Sequence, residues 1–402
     1  MRNMYTLGIE TSCDETACAV LKNDRQILAN VVTSSLAKHK AFGGIVPEIA
    51  SRHCLEAIDY VYQQALDEAD IDQNQIDLIA VTRGPGLIGS IFIGVSFAKA
   101  LSFSIGVPLI GVNHIEAHLE ANFISHPKPA SFIGLIVSGG HASILCFRRN
   151  RYELLGETID DAIGEAYDKV AKILGLGYPG GPLIDRLAQK GNSKAFSFTK
   201  PKQDGKFDFS FSGIKTAVLR LCEQKKFLPP LWGKVRMGVD SEMIPPPLSS
   251  PIRHKTRRDS STPHKNRRLR PPAEKRFGTD CANAFWRTRG EENFVADLCA
   301  SFQETVIRWI VDKTILACET EKMKNIVVGG GVSANSRLRQ LFQEEAGMNR
   351  INLLIPPFEL TTDNAAMIAR LGYSLFKKGK HSEYQMTADP SLRIGEETNG
   401  RS

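Results

Sequence analysis

The chain has 402 residues, of which 42% are hydrophobic and 24% charged, a composition typical of a globular protein with room for two domains of ~150 residues. Its strand pattern begins within the first residues, its apolar runs are shorter than the ~18 residues of a membrane span, and its eight cysteines form no C-x-x-C pair. These features argue against a secreted disulfide framework, a zinc–thiolate site and a membrane protein, and they predict a cytoplasmic location.

The first predicted elements are strands joined by a polar turn, and the same succession occurs again later in the chain. Polar turns at 11–15 and 138–141 follow the first strand of each set, and a helix is predicted at 161–174 after the second set. The strand patterns lie at residues 5–10, 16–21, 26–32, 132–137, 142–147 and 152–156. Because the two halves repeat one order of elements, the sequence predicts an α/β fold with an internal duplication and a ligand cleft between the halves.

A glycine motif follows the predicted strand at 78–82. Residues 84–89, GPGLIG, match G-x-G-x-x-G and precede a predicted helix at 90–104, a context that allows phosphate contact at a helix N-terminus. A dinucleotide site would also need an acidic residue about 20 positions later, but residues 108–111 are PLIG. We therefore interpret the motif as a tight strand-to-helix turn beside a nucleotide and not as a Rossmann site. The chain also has no P-loop sequence.

Two histidines four residues apart, His114 and His118, follow a predicted strand at 107–112. On a helix this spacing places both imidazoles on one face, where they can bind one metal ion. The alternative is a surface pair without a ligand. Late in the chain, Asp363 precedes a predicted helix at 365–376. It is the best candidate for a third ligand, although a carboxylate at a helix N-terminus is also favourable by itself. Two imidazoles, one carboxylate and open positions form a Lewis-acid site.

Two glycine-rich turns lie at the ends of predicted strands. Residues 138–141, SGGH, join two strands, and residues 329–335, GGGVSAN, follow a strand at 326–328 and precede a helix. Glycines let backbone N–H groups approach an anion or an adenosine closely. The alternatives are an ordinary hairpin turn and, for Asn335, a helix N-cap. Asp168 lies on the helix before the loop YPGGP and is either an acceptor for ligand hydroxyls or a solvated carboxylate.

One segment differs in composition from everything around it. Residues 225–290 contain 16 Lys/Arg, 5 Asp/Glu and nine of the twenty prolines, so their local charge of +11 leaves −4 for the rest of a chain whose net charge is +7. The segment has no helical or strand period and too little apolar surface to offset its ordering entropy. We predict a disordered insertion at 227–292, between helices at 211–222 and 293–318. It is either a basic arm for RNA or a tolerated insertion without a role.

Together, these motifs resemble the universal family of tRNA threonylcarbamoyladenosine transferases, in particular its bacterial-type catalytic subunit. The resemblance extends from residue 4 to about 225 and from about 293 to 379, and the insertion has no counterpart in the family pattern. The matching landmarks are residues 6–16 (TLGIETSCDET), 43–48 (GGIVPE), 84–87 (GPGL), 114–118 (HIEAH), 137–141 (VSGGH), 208–213 (DFSFSG) and 331–335 (GVSAN).

The resemblance implies a two-lobed fold of the actin/Hsp70/sugar-kinase type. The first lobe would comprise residues 4–110, completed by a C-terminal helix at about 363–380, and the second would comprise 111–226 and 293–362, followed by a tail at 381–402. The implied activity is transfer of the threonylcarbamoyl group from threonylcarbamoyl-AMP to N6 of adenosine 37, in tRNAs that read codons beginning with A.

The resemblance also implies site residues and partners. His114, His118 and Asp363 correspond to metal ligands, with iron as the expected metal and zinc as the alternative. The positions that correspond to substrate contacts are Ile136, Val137, Ser138, Gly139, Gly140, Asp168, Gly181, Asp185 and Asn335. No residue identifies itself as a general base. The expected partners are tRNA, threonylcarbamoyl-AMP, a smaller paralogue of the same fold and a small ATPase, without a membrane.

Four other functions compete with this hypothesis. A metalloprotease of the H-E-x-x-H type needs a glutamate directly after the first histidine, whereas Glu116 is two residues after His114 and, at about 100° per residue, points about 200° away on a helix. A small-molecule kinase on the same fold would not need two histidines, and non-catalytic relatives of this family lack them. The fourth alternative is a degraded copy in which the insertion blocks assembly.

Overall fold

The computed structural model describes residues 3–39, 42–200, 205–225, 227 and 289–395. The predicted disordered insertion at 227–292 therefore lies outside the described residues except at its two ends, as do the last residues of the predicted C-terminal tail.

Two five-stranded mixed sheets form the framework of the described chain. The first has the order β3-β2-β1-β4-β5 and the second the order β10-β9-β6-β7-β8. The strands are β1 (Tyr5–Glu10), β2 (Glu15–Lys22), β3 (Gln26–Ser34), β4 (Leu78–Gly84), β5 (Leu109–Asn113), β6 (Phe132–Val137), β7 (Ala142–Arg148), β8 (Arg151–Glu157), β9 (Asn325–Gly329) and β10 (Asn352–Leu354).

The helices lie between and around these sheets. They are α1 (Leu36–His39), α2 (Pro47–Ala69), α3 (Ile88–Ile105), α4 (His114–Glu120), α5 (Asn122–Ser125), α6 (Ile163–Leu174), α7 (Gly180–Ala188), α8 (Ser212–Gln224), α9 (Arg289–Thr320), α10 (Ser336–Asn349) and α11 (Ala365–Lys377). Three short 3-10 turns occur at Gln73–Gln75, Gly331–Ala334 and Phe358–Leu360.

The two sheets repeat one arrangement. In the first, β1 pairs antiparallel with β2 and parallel with β4, and in the second, β6 pairs antiparallel with β7 and parallel with β9. The outer strands follow the same rule, with β3 and β8 antiparallel and β5 and β10 parallel to their neighbours. The predicted α/β class with an internal duplication is therefore confirmed.

Alternating side chains divide the first sheet between two helical layers. Leu7 and Ile9 of β1 pack with α2 and α3, whereas Ala17 and Ala19 of β2 pack with α11 on the opposite face. The α11 side has small residues because the helix crosses very close to the sheet, and a Cβ at Gly8 would overlap the carbonyl oxygen of Ala365. This period of two is the one predicted for strands buried on both faces.

The outer face of α3 is unusually apolar. Among the described residues α3 is the one helix with the length and composition of a membrane span, with a mean hydropathy of 1.7 over 18 residues. The sequence predicted that no uninterrupted apolar run reaches this length. This holds, because Ser90, Lys99 and Ser102 interrupt the apolar sequence of α3. Core helices of globular proteins pass the same test, and the inner face of α3 packs with the first sheet.

Residues 380–395, which we name the C-terminal strap, return along the edge of the first sheet. The backbone N–H of Ser382 donates to the carbonyl oxygen of Leu109 at 2.8 Å, and that of Asp389 donates to Arg83 at 2.9 Å. Met386 is buried in the core of the first sheet. The strap then reaches the second sheet, where Ile394 packs against the core that contains Phe132.

Candidate metal centre and substrate cleft

The two predicted histidine ligands occupy the first turns of α4, directly after β5. Asn113 has extended backbone angles, and its Oδ1 accepts hydrogen bonds from the backbone N–H groups of Ile115 (2.9 Å) and Glu116 (3.1 Å). This N-cap ends the strand and starts the helix. His114 and His118 are both buried on the inner face of α4, so the surface-pair alternative is wrong.

Asp363 completes a three-residue cluster with these histidines. The Nε2 atoms of His114 and His118 lie 3.2 Å apart, and Asp363 Oδ1 lies 3.5 Å and 3.2 Å from them, respectively. Asp363 is held in place because Asn364, the next residue, is the N-cap of α11. The three ligand atoms lie within 4.8 Å of one another. Two ring nitrogens and a carboxylate oxygen that converge in this way match the donor set of a divalent metal ion.

In this cluster, the charges of neighbouring groups shift the pKa values of His114 and Asp363 in the opposite direction to burial. Burial alone lowers the pKa of the His114 imidazole, but the carboxylates of Glu10 and Asp363 outweigh it and raise that pKa to about 9. Burial alone raises the pKa of Asp363, but the charges of His114 and His118 outweigh it and hold that pKa far below its usual range. Without a metal the His114 imidazole is therefore protonated at pH 7, and metal binding at Nε2 displaces a proton.

A further carboxylate, Glu10 at the end of β1, touches the cluster and was not predicted. It is fully buried, and its Oε2 lies 2.9 Å from His114 Nδ1. Burial raises its pKa, and the charge and hydrogen bond of His114 lower it by more. The sequence signal was an acidic residue that ends an otherwise apolar strand, next to the polar turn at 11–15.

The turn between β6 and β7 borders the cluster. Ile136 and Val137 are buried at the end of β6, and the turn closes with a hydrogen bond from Ser138 N–H to the His141 carbonyl at 2.8 Å. A Cβ at Gly139 or Gly140 would meet open space. The predicted contact residues 136–140 therefore run from the core of the second sheet to an open cleft.

His141 ends this turn, and its pKa responds to the charges of the residues in the metal cluster. Burial and the charges of His114 and His118 lower its pKa to about 4, so the imidazole is neutral at pH 7. Its place in the SGGH motif was noted from the sequence, but no function was assigned to its side chain. On the opposite side of the cleft, burial and the charges of Asp363 and Asp14 raise the pKa of Glu15 to about 10.

The second glycine turn packs between α4 and β6. A Cβ at Gly329 would lie 2.6 Å from the His118 carbonyl oxygen, and one at Gly330 would lie 2.5 Å from that of Val137. Gly331 faces open space. Asn335, at the end of the turn, is the N-cap of α10, and its Nδ2 also donates to Gln303 Oε1 at 2.8 Å. The N-cap alternative for Asn335 is therefore observed, together with a second contact.

The other predicted contact residues lie on two consecutive helices, with Asp168 on α6 and both Gly181 and Asp185 on α7. Asp168 Oδ1 accepts a hydrogen bond from Gly180 N–H at 2.6 Å, so its carboxylate positions the N-terminus of α7. A Cβ at Gly181 would meet open space. Asp185 accepts hydrogen bonds from Ser336 Oγ at 2.7 Å and from Gln303 Nε2 at 3.0 Å.

Gln303 of α9 connects two predicted contact residues and was missed from the sequence. Its amide donates to Asp185 and accepts from Asn335, while the Tyr167 hydroxyl donates to its Oε1 at 3.4 Å. A glutamine inside a long amphipathic helix gives no local signal, and the three partners come from distant parts of the chain. The amide thus ties α7 to the glycine turn before α10.

Known proteins resemble this chain over nearly its whole length. The family model described as TsaD, tRNA N6-adenosine threonylcarbamoyltransferase, matches residues 26–370. A protein of that name from Thermosipho africanus is 44% identical over 395 residues, which cover 97% of this chain and 100% of that protein. One from Clostridium botulinum strain 657 is 42% identical over 394 residues, with 97% and 98% covered.

Solved structures share the fold. HypF from T. kodakarensis superimposes with a TM-score of 0.52 at 13% sequence identity, over 94% of this chain and 48% of that protein. At this identity the similarity concerns the arrangement of sheets and helices and not the activity.

Proposed function

The chain belongs to the tRNA N6-adenosine threonylcarbamoyltransferase family, and we propose that His114, His118 and Asp363 form its metal centre and that the adjoining glycine turns form its substrate cleft. The protein is an acyltransferase that modifies N6 of an adenosine in tRNA. We further propose adenosine 37 as the target, in tRNAs that read codons beginning with A, and threonylcarbamoyl-AMP as the donor.

The observation that supports this proposal is the convergence of two imidazole nitrogens and one carboxylate oxygen beside the glycine turn at 329–331, where Gly329 packs against the His118 backbone. His114 and His118 would hold the metal through Nε2 and Asp363 through Oδ1. Two histidines and a carboxylate are typical of non-haem iron and also suit zinc, so we propose Fe²⁺, with Zn²⁺ as the alternative. When bound, the metal supplies Lewis-acid polarisation of the threonylcarbamoyl oxygens.

The chain itself binds and orients both substrates. A Cβ at Gly139, Gly140 or Gly331 would meet open space, so the AMP phosphate and adenosine can approach the backbone closely at these turns. We place the remaining donor contacts at Asp168, at Gly181 near the N-terminus of α7, and beyond them at Asp185 and Asn335. The adenine N6 attacks the carbamoyl carbon and AMP departs, so positioning contributes more than a strong base, and we assign no general base.

The position of Glu116 argues against a protease. It lies on the side of α4 away from the metal cluster, where its electrostatic neighbours are Glu120 and Lys128. Burial and the Glu120 charge raise its pKa to about 7. In the described part of the chain, the carboxylates that approach the histidines are Glu10 and Asp363. A general base of the H-E-x-x-H type is therefore missing from the metal face.

The activity and the site are tested together by mass spectrometry of nucleosides from unmodified tRNA. The tRNA is incubated with the protein, threonylcarbamoyl-AMP and the expected partners, and we expect a threonylcarbamoyladenosine peak. His114→Ala should remove the peak, whereas His381→Ala, at an exposed histidine of the C-terminal strap, should keep it. A full peak with His114→Ala would contradict the metal centre.

The same assay addresses the insertion. If the full chain gives no peak and a chain without residues 227–292 does, the insertion blocks assembly, as the degraded-copy alternative requires. If both chains are active, the insertion is tolerated, and equal rates at rising salt would argue against a basic arm for RNA.

We propose tRNA, a smaller paralogue of the same fold and a small ATPase as partners. An apolar surface supports a protein partner: Leu55 of α2 and Ile88 and Phe92 of α3 are 66%, 53% and 63% exposed, and the two helices pack together where Gly89 meets Ser51. We name these three residues the helix-pair face. An exposed apolar surface of this kind is typical of an interaction site.

We also propose a cytoplasmic location, which the seven free cysteines of the described residues support.

A further inference from the structure

The two imidazoles of the metal cluster differ in how their second ring nitrogen is held. His114 Nδ1 faces Glu10 Oε2 at 2.9 Å and Ser12 Oγ at 3.3 Å. His118 Nδ1 is buried, and among the described residues it has no hydrogen-bond partner. The orientation of one ligand is therefore specified by the protein, whereas that of the other depends on the helix and the cluster itself.

Glu10 is held rigidly before it meets His114. Thr82 Oγ1 donates to its Oε2 at 2.6 Å, and the backbone N–H of Ser12 donates to its Oε1. These two donors come from β4 and from the turn after β1, and the Glu10 side chain is fully buried. The carboxylate thus has a fixed position in the centre of the first sheet.

This arrangement selects one tautomer of His114. Both Glu10 oxygens already accept hydrogen bonds, from Ser12 N–H and from Thr82 Oγ1, so the His114 nitrogen that faces Glu10 is the donor. Nδ1 then keeps its proton, and Nε2, which lies 3.2 Å from His118 Nε2 and 3.5 Å from Asp363 Oδ1, is the nitrogen left for a metal. Metal-binding histidines commonly donate their other N–H to a carboxylate, which fixes the ring and increases its basicity.

We propose that Glu10 is a positioning residue of the metal centre, which holds His114 as the Nδ1–H tautomer with Nε2 directed at the metal. The inference rests on the proposed metal centre. It extends that centre to the first sheet, because Glu10 joins β1 and β4 to a metal ligand on α4.

The test compares three variants by metal affinity and by stability. Glu10→Ala removes the acceptor, Glu10→Gln keeps the shape and one acceptor oxygen, and Thr82→Val removes a donor to the same carboxylate while the His114 contact stays. The probe is Zn²⁺ alone, titrated against a competing chelator, and the unfolding temperature of the metal-free protein is measured in parallel. Wild type and His114→Ala provide the two reference affinities.

We expect Glu10→Ala to bind Zn²⁺ about 10–100-fold more weakly and Glu10→Gln to lie between it and the wild type. Thr82→Val should lose less affinity than Glu10→Gln, because the Ser12 N–H still holds the Glu10 carboxylate and the His114 contact stays. In the zinc-loaded wild type, the Nδ1–H of His114 should appear as a slowly exchanging imidazole proton in NMR spectra and should be absent from Glu10→Ala. Should Glu10→Ala not fold, Glu10→Gln and the imidazole proton decide the question.

Two results would overturn the proposal. One is normal Zn²⁺ affinity in Glu10→Ala or Glu10→Gln with only a lower unfolding temperature, which would make Glu10 a structural residue. The other is a zinc-loaded wild type in which the His114 proton resides on Nε2 and not on Nδ1. If the wild type and His114→Ala bind Zn²⁺ equally, the metal centre itself is wrong, and this outcome is distinct from both.

Discussion

Gly330 packs against the end of β6 in a backbone conformation that favours glycine. Its φ is +92°, a region that L side chains rarely adopt, and a Cβ there would lie 2.5 Å from the Val137 carbonyl oxygen. We expect Gly330→Ala to destabilise the fold by roughly 1–3 kcal/mol from the backbone conformation alone. Urea unfolding of the metal-free protein measures this loss.

Two other glycines, one in the same turn and one on α10, serve as controls for Gly330. Gly331→Ala points its methyl group into open space, so stability should be unchanged while KM for threonylcarbamoyl-AMP rises. Gly347, on α10, also faces open space, and Gly347→Ala should raise stability by up to about 1 kcal/mol, because alanine is the better helix former. Equal stability of Gly330→Ala and the wild type would show that the turn is not strained.

The helical period predicts a site from residues that are close together in sequence, whereas the distant ligand Asp363 was predicted with the help of the family resemblance, and other distant residues were not predicted. His114 and His118 are four apart, so the helical period alone puts them on one face. Glu10 is 104 positions from His114, and Gln303 is 118 from Asp185. Only the pairing of β1 with β4, and the packing of α9 on α7, brings these side chains to their partners.

At the level of elements, the start of α4 depends on Asn113. Besides capping the helix, its Nδ2 donates to the carbonyl oxygens of Leu392 and Arg393 in the C-terminal strap, at 3.3 and 3.1 Å. Asn113→Ala should lower stability by about 1–2 kcal/mol and should weaken Zn²⁺ binding, because the first turn of α4 bears His114. Thermal unfolding and chelator titration measure the two effects.

Asn113→Ser separates the cap from the strap. Serine retains an N-cap oxygen but cannot donate an amide to the strap carbonyls. Recovery of both stability and Zn²⁺ affinity by serine would assign the effect to the cap. If serine restores stability but not metal affinity, the strap contributes to the position of His114. Unchanged metal affinity in Asn113→Ala would contradict the prediction.

A charged contact between α9 and α10 predicts a pH dependence of stability. Glu304 accepts hydrogen bonds from Arg337 Nε at 2.6 Å and Arg308 Nε at 2.9 Å, and chiefly the Arg337 hydrogen bonds lower its pKa. A lowered folded-state pKa contributes stability above the unfolded-state pKa, and this is lost as the pH falls through the folded-state pKa. Glu304→Gln should therefore cost about 1–3 kcal/mol at pH 7.

The difference between Glu304→Gln and the wild type should shrink as the pH falls below the unfolded-state pKa of about 4.3 and towards the lowered folded-state pKa, where the carboxyl of the folded wild type also takes up a proton. Urea titrations from pH 7 to pH 3 measure it. The matched control is Glu48→Gln, whose partner Arg52 is likewise one helical turn away but exposed, and which should change stability little at any pH. A constant difference across the range would assign the Glu304 effect to packing.

The strands were easier to predict from the sequence than the C-terminal strap, which packs along the first sheet. The repeated pattern of strand, polar turn and strand predicted β1, β2, β6 and β7 to within one residue at each end. The C-terminal strap has no period, since it binds mainly through backbone atoms at Leu109 and Arg83. Its course over the first sheet could not be predicted from residue types.

At the scale of the whole molecule, the proposed metal centre lies where the two halves of the duplication meet. The first sheet supplies Glu10 and the strand that precedes α4. Asp363 precedes α11, which crosses the first sheet. The second sheet supplies the turn at 138–141 and the glycine turn at 329–331. Neither half has a complete site. The duplication was visible in the sequence, but which residues of each half meet depends on the pairing of both sheets.

The helix-pair face is an exposed surface of the molecule, and none of the described residues buries it. We expect Phe92→Asp to weaken binding of the smaller paralogue at least ~10-fold, because a buried aromatic anchor typically contributes more than about 1.4 kcal/mol to an interface. The ring is 63% exposed in the free chain, so the unfolding temperature should change little. Isothermal titration calorimetry with the purified paralogue measures the affinity.

Met348→Asp is the matched control, because Met348 is 69% exposed on α10, far from α2 and α3 in the fold. It should leave the affinity unchanged. Leu55→Asp, across the helix pair from Phe92, should weaken binding as Phe92→Asp does, since both would place a carboxylate in an apolar interface. Normal binding by both helix-pair variants would move the partner to another surface and leave the apolar face of α3 without an assigned role.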